Sequence, residues 1–73
     1  MYTEKIQKLE NEILELKKYI KANKKEIKKR EKILSIAVDE ELEMEIQIYK
    51  EEIEKFTNEL KTRKELIRNY KKL

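Results

Sequence analysis

The fold of this chain is decided by residues 27–46, which read IKKREKILSIAVDEELEMEI. Upstream of this stretch, apolar residues recur at alternating steps of three and four, and downstream they do so again in a different phase. This spacing is the a and d pattern of coiled-coil heptads. Extending the upstream register would place Glu41 and Lys55 on the apolar seam, where burial of their charges would be costly. The phase change therefore predicts two helices rather than one.

The two registers match when the chain folds back on itself near Val38. Each a position then faces a d position, and the two residue numbers add up to 76 in every pair. Ile6 thus meets Tyr70 and Leu34 meets Leu42. We therefore predict an all-α, antiparallel two-helix hairpin of the coiled-coil type, in one domain spanning 1–73. Its first helix covers about 4–34, its turn about 35–38 and its second helix about 39–72. At 1.5 Å per residue the predicted hairpin is roughly 45 Å long. The seam consists of Ile6, Leu9, Ile13, Leu16, Ile20, Asn23, Ile27, Arg30, Leu34, Leu42, Ile46, Tyr49, Ile53, Phe56, Leu60, Arg63, Ile67 and Tyr70.

Charge supports a break in the same place. Lysines concentrate at the end of the first predicted helix and carboxylates at the start of the second, which suits the two helix dipoles. Thr3 and Asp39 are the predicted N-caps of the two helices. Asn23 is expected to fix the register, and Arg30 and Arg63 to extend their charged heads out of the seam along aliphatic stems.

Composition excludes several classes of chemistry. The chain has no cysteine, histidine, glycine or proline, so disulfides, zinc fingers, imidazole catalysis and glycine-rich phosphate loops are ruled out. We expect no enzyme, no small-molecule substrate, no cofactor and no metal site. No apolar run approaches the roughly 20 residues that span a bilayer, and the start lacks the plan of a signal peptide. A cytoplasmic protein without a membrane partner is the resulting expectation.

Apolar residues beside the seam widen the stripe beyond what one hairpin covers. The g positions hold four apolar residues, Tyr19, Ile33, Leu66 and Leu73. In an antiparallel pair of helices the g residues also face each other, which places the negative charge of Glu26 opposite that of Glu52. These features predict a homodimer in which two hairpins form a four-helix bundle.

The turn is apolar, where a free hairpin tip is normally polar. Ile36, Ala37 and Val38 either cap the end of the core or pack in the dimer, or they insert into a pocket of another protein. The leading functional expectation is a small regulator or inhibitor that binds a target protein through helix faces or the turn. The candidate residues for protein interaction are Ile36, Ala37, Val38, Tyr19, Ile33, Met44, Ile48 and Leu66.

Lysines form one stripe along the outer face of the first helix. Its members occupy successive f and b positions and repel one another at i, i+4 spacing. A solvated surface is one interpretation, and an RNA- or DNA-binding hairpin that follows phosphates is the alternative. A third interpretation of the whole chain is a structural oligomerisation module. The lysine stripe consists of Lys18, Lys21, Lys25, Lys28 and Lys32.

Overall fold

The computed structural model describes residues 2–73 and forms an all-α helical hairpin. Helix α1 covers Thr3–Leu34 and helix α2 covers Glu40–Lys72, and the two pack against each other along their length. No strand occurs within the described part of the chain. The predicted all-α hairpin is confirmed.

The start of α2 is fixed by its cap. Asp39 has extended backbone angles (φ −145°, ψ 109°) and is the N-cap residue, as predicted. Its Oδ1 accepts hydrogen bonds from the backbone N–H groups of Glu41 (2.9 Å) and Leu42 (3.3 Å). These donors would otherwise have no intrahelical partner. Carboxylates in the first turn and lysines in the last turn complement the helix dipole.

The predicted cap of α1 is wrong. Tyr2, not Thr3, is the N-cap residue, and no side chain caps this helix end. The rings of Tyr2 and Tyr70 lie with their centroids 5.1 Å apart, and the Tyr2 carbonyl accepts a hydrogen bond from the Ile6 N–H at 2.9 Å. This aromatic contact lies at the end of the seam. The helix begins at Thr3, so the threonine lies inside it.

The turn does not require glycine, because its backbone angles lie in regions that any residue can adopt. No residue of the described chain has a positive φ, and Ser35 ends α1 with near-helical angles. The N–H groups of Ile36 and Ala37 both donate to the carbonyl of Ile33, at 3.0 and 3.1 Å. The Ser35 hydroxyl donates to the Lys32 carbonyl at 2.6 Å. These bonds satisfy the last carbonyls of the helix without a left-handed residue.

The seam lies where the heptads place it. Every predicted a and d residue is buried or half-buried, and the fully buried ones are Ile13, Leu16, Ile27 and Ile46. The hairpin measures 56 × 14 × 13 Å. It is longer than predicted because the helices contain 32 and 33 residues and the turn extends beyond them. No helix in residues 2–73 combines the length and the apolarity needed to cross a membrane.

Candidate interaction surfaces

The tip of the hairpin is almost fully exposed. Ile36 and Val38 retain 89% and 90% of their accessible surface, and Ala37 between them is also exposed. The hydrogen bonds of the turn hold these side chains away from the seam. The tip therefore does not cap the core of the single hairpin, and of the first interpretation only packing in a dimer remains.

A second surface runs along one side of the hairpin, and we call it the g face because it carries the g positions of both helices. Its apolar members, all exposed, are Tyr19 and Ile33 on α1 and Leu66 and Leu73 on α2. Tyr19 stacks on Phe56 of the seam with the ring centroids 5.6 Å apart. This contact anchors one edge of the ring and leaves the other open at the middle of the hairpin.

Two grooves open towards the two ends of the hairpin, and each reaches the g face, one at Glu45 and the other at Leu66. The tip groove is lined by Glu41, Met44, Glu45 and Ile48, at i, i+3, i+4 and i+7 spacing along α2. Met44 and Ile48 are therefore brought together with two carboxylates.

The terminal groove is lined by residues of both helices and carries the opposite charge. Lysine and apolar side chains dominate it, and the Lys5 Nζ lies 5.8 Å from the centre of the Tyr70 ring, where the ring face attracts a cation. The residues that line it are Lys5, Lys8, Leu9, Glu12, Leu66 and Tyr70.

Arg30 lies beside the tip groove and binds two carboxylates at once. Its Nε donates to Glu45 Oε2 and its Nη1 to Glu26 Oε2, both at 2.7 Å. The guanidinium carbon lies 4.8 Å from the centre of the Tyr49 ring. The hydrogen bond from Arg30, followed by the charge of Lys29, holds the pKa of Glu26 below its ordinary value. Hydrogen bonds to Glu26 and Glu45 raise the pKa of Arg30 above its usual range.

The charged heads of both seam arginines leave the seam, as predicted, and bind carboxylates at its edge. Both heads turn along the seam onto the g face and pair with glutamates, since Arg63 Nε donates to Glu12 Oε2 at 2.9 Å. Asn23 Nδ2 donates to Glu52 Oε2 at 3.0 Å. The expected opposition of Glu26 to Glu52 is relieved within the hairpin, because each of the two carboxylates accepts a hydrogen bond from a seam residue.

The lysine stripe follows the outer face of α1, away from the seam. All five of its side chains are exposed, and none of them forms an ion pair with the residues that the structure describes. Sequence reasoning did not single out Leu14, which is 58% exposed at a b position of the same helix. A search for apolar residues outside the a, d and g positions would have found it.

The structure thus gathers the predicted candidates into separate surfaces. Ile36, Ala37 and Val38 form the tip, and Met44 and Ile48 form the apolar part of the tip groove. The remaining candidates are distributed along the g face, with Ile33 near the tip, Tyr19 at the middle and Leu66 in the terminal groove. Comparisons with models of known protein families, with curated proteins and with solved structures find no match to this chain.

Proposed function

We propose that this hairpin is a non-enzymatic protein-interaction module, a small regulator or inhibitor that binds a target protein through its apolar tip. The observation that supports the proposal is the exposure of Ile36 and Val38 on a turn held by backbone hydrogen bonds. Full burial of an aliphatic side chain of this size is worth about 1.5–3 kcal/mol. A turn that is already ordered loses little conformational freedom on binding, so most of this free energy remains available for affinity.

Charge around the tip defines the chemistry of the partner. Lys28 and Lys32 lie on the α1 side, whereas Asp39, Glu40 and Glu43 lie on the α2 side. A matching protein has an apolar pocket with a carboxylate-rich rim on one side and a basic rim on the other. Such an arrangement orients the two proteins and speeds their encounter more than it adds affinity.

Affinity capture from the source cells tests this proposal, with Val38→Lys as the tip variant and Leu14→Lys as the matched control. Both substitutions place a lysine at an exposed aliphatic residue. We expect a specific protein to be retained by the unmodified hairpin and by the control but lost with the tip variant. Circular dichroism would verify that all three remain helical. Retention of the same proteins by Val38→Lys would refute a role for the tip.

Nucleic-acid binding is the second candidate, and the unpaired state of the five stripe lysines favours it. Phosphate contacts release condensed counterions, so nucleic-acid affinity falls steeply as salt rises. Apolar docking of the tip depends little on salt. Capture that disappears after nuclease treatment, or with Lys21→Glu and Lys25→Glu together, would favour the lysine stripe over the tip.

A further inference from the structure

We propose that the g face is covered by a second copy of this chain, packed tip to termini about a two-fold axis at mid-length. This proposal goes beyond the function proposed for the tip and does not depend on it. It concerns the side of the hairpin on which Tyr19, Ile48 and Leu66 remain exposed, and it specifies the orientation of the two copies.

The first argument is the charge of the two grooves. The tip groove has Glu41 and Glu45 on its rim, and the terminal groove has Lys5 and Lys8 on its rim. Both grooves have an apolar floor. Turning one hairpin end for end brings the acidic groove of each copy against the basic groove of the other. Opposite potentials then face each other twice, as in a complementary interface.

The second argument is that one position of the axis satisfies several contacts. If α2 packs antiparallel against α2 of the other copy, Leu66 faces Ile48 when the axis passes the level of residue 57. The same axis places Lys55 opposite Glu59 of the other copy. Within one hairpin, the numbers of facing residues on α1 and α2 add up to 76, so the α1 residue at the level of residue 57 is Tyr19. Its exposed ring therefore meets its own counterpart at the axis.

The parallel arrangement, with both tips at the same end, lacks this match. It packs α1 against α2 of the other copy, so that the apolar Ile33 lies close to the charged Glu45. It also gathers the acidic tip grooves of both copies at one end. Like charges that face each other across an interface cost several kcal/mol. The charges of the two end grooves therefore favour the tip-to-termini dimer, in which Glu12 and Glu26 of the two copies lie opposite each other but are each paired with an arginine of their own hairpin.

The size of the face is adequate for such an interface. A rectangle of 56 by 14 Å has an area of about 780 Å², which compares with the ~800 Å² that each partner buries in a standard interface. The apolar tips with Ile36 and Val38 then lie at the two ends of the bundle. A dimer of this kind presents two tips that face opposite ways.

Distances between spin labels test the orientation directly. The chain has no cysteine, so Lys18→Cys and Lys32→Cys each provide one labelling site per copy, on an outer face away from the proposed interface. In the tip-to-termini dimer, the two labels are displaced along the bundle by about 3 Å at position 18 and by about 39 Å at position 32, at 1.5 Å rise per residue. We therefore expect a much longer distance at position 32.

Two outcomes of this measurement would overturn the proposal. Equal label distances at positions 18 and 32 would show a parallel dimer, because both copies then present each residue at the same height. The absence of any dipolar coupling at micromolar concentration would show a monomer.

A variant tests whether the g face is the interface. Ile48→Glu puts a carboxylate opposite Leu66 of the other copy, and Leu14→Glu is its control, since the two side chains are 53% and 58% exposed in the single hairpin. By light scattering we expect Ile48→Glu to raise the dimer dissociation constant by at least about tenfold, with no change for Leu14→Glu. A dimer that survives Ile48→Glu, or that Leu14→Glu weakens as much, contradicts the proposal.

If Ile48→Glu loses helicity, exchanging the charges of Lys55 and Glu59 provides a second test of the proposed axis. Lys55→Glu and Glu59→Lys should each weaken the dimer, and the double variant should restore it. Failure of the double variant to restore the dimer would count against the proposed axis. Val38→Lys should leave the mass unchanged, so failure of the dimer and failure of the tip as a docking site are distinguishable.

Discussion

Leu16 and Leu14 offer a direct test of the seam, because they are the same residue type in the same helix with opposite environments. Leu16 is 7% exposed and Leu14 is 58% exposed. Substitution of either by alanine changes the helix propensity equally. The difference between the two variants therefore reports packing alone.

The expected cost follows from the carbon atoms removed. Leu→Ala deletes three carbon groups, each worth ~0.8 kcal/mol when buried, which gives ~2.4 kcal/mol for Leu16 before any cavity remains. The hairpin is thin enough for its neighbours to close part of the gap, so we expect about 2–3 kcal/mol, the low end for such substitutions. Leu14→Ala should cost about 1 kcal/mol or less, since over half of its side chain stays in water.

Chemical denaturation followed by circular dichroism measures both values. All variants should be compared at one protein concentration, because self-association would couple stability to concentration. A loss of 2–3 kcal/mol should also lower the melting temperature by roughly 10–20 °C for a domain of this size. Equal destabilisation by the two substitutions would refute the assignment of Leu16 to the seam and with it the register of the hairpin.

Two further predictions concern the helix cap and the ion pairs. Asp39→Ala should lower the free energy of unfolding by about 1 kcal/mol. Thr3→Ala should leave it unchanged or raise it slightly, because the threonine caps nothing and alanine is the better helix former. Chemical denaturation measures both values. Arg30→Gln should move the pKa of Glu26 up towards its ordinary value in an NMR titration, with exposed Arg68→Gln as the control that leaves it low. Since the pKa of Glu26 is lowered in the folded chain, its contribution to stability is present above the pKa of the unfolded chain. That contribution is lost as pH falls through the lowered pKa, and the loss should be smaller in Arg30→Gln, where only Lys29 still stabilises the carboxylate.

Heptad spacing was sufficient to predict the hairpin, because burial of a and d residues depends on backbone periodicity and little else. The same holds for the cap at Asp39, which needs only a short carboxylate before an apolar-periodic segment. The start of α1 was missed because it depends on a contact between distant residues, Tyr2 and Tyr70. Extending the first heptad series one step upstream of Ile6 would have placed Tyr2 at a d position, next to the layer in which Ile6 is paired with Tyr70.

The polar contacts of the g face were beyond sequence reasoning for a different reason. A heptad position gives the direction in which Arg30 leaves the backbone, but its long side chain can adopt many rotamers. Which carboxylate it binds depends on the geometry of both helices. The two grooves also required the structure, because their linings combine c, d, f and g positions. A one-dimensional pattern does not show which of these residues close into a groove.

The seam residue that distinguishes one register from another is Arg63 rather than Asn23. In each polar contact between the helices the residue numbers add up to 75. A slip of one heptad would bring Asn23 from Glu52 to Glu45 or Glu59, so its hydrogen bond could form again with another glutamate. The same slip would bring Arg63 from Glu12 to Lys5 or Tyr19 and leave the guanidinium half-buried without a carboxylate. A buried polar residue specifies register only if its partner is not repeated at heptad spacing, and in this hairpin Glu12 is the partner that is not repeated.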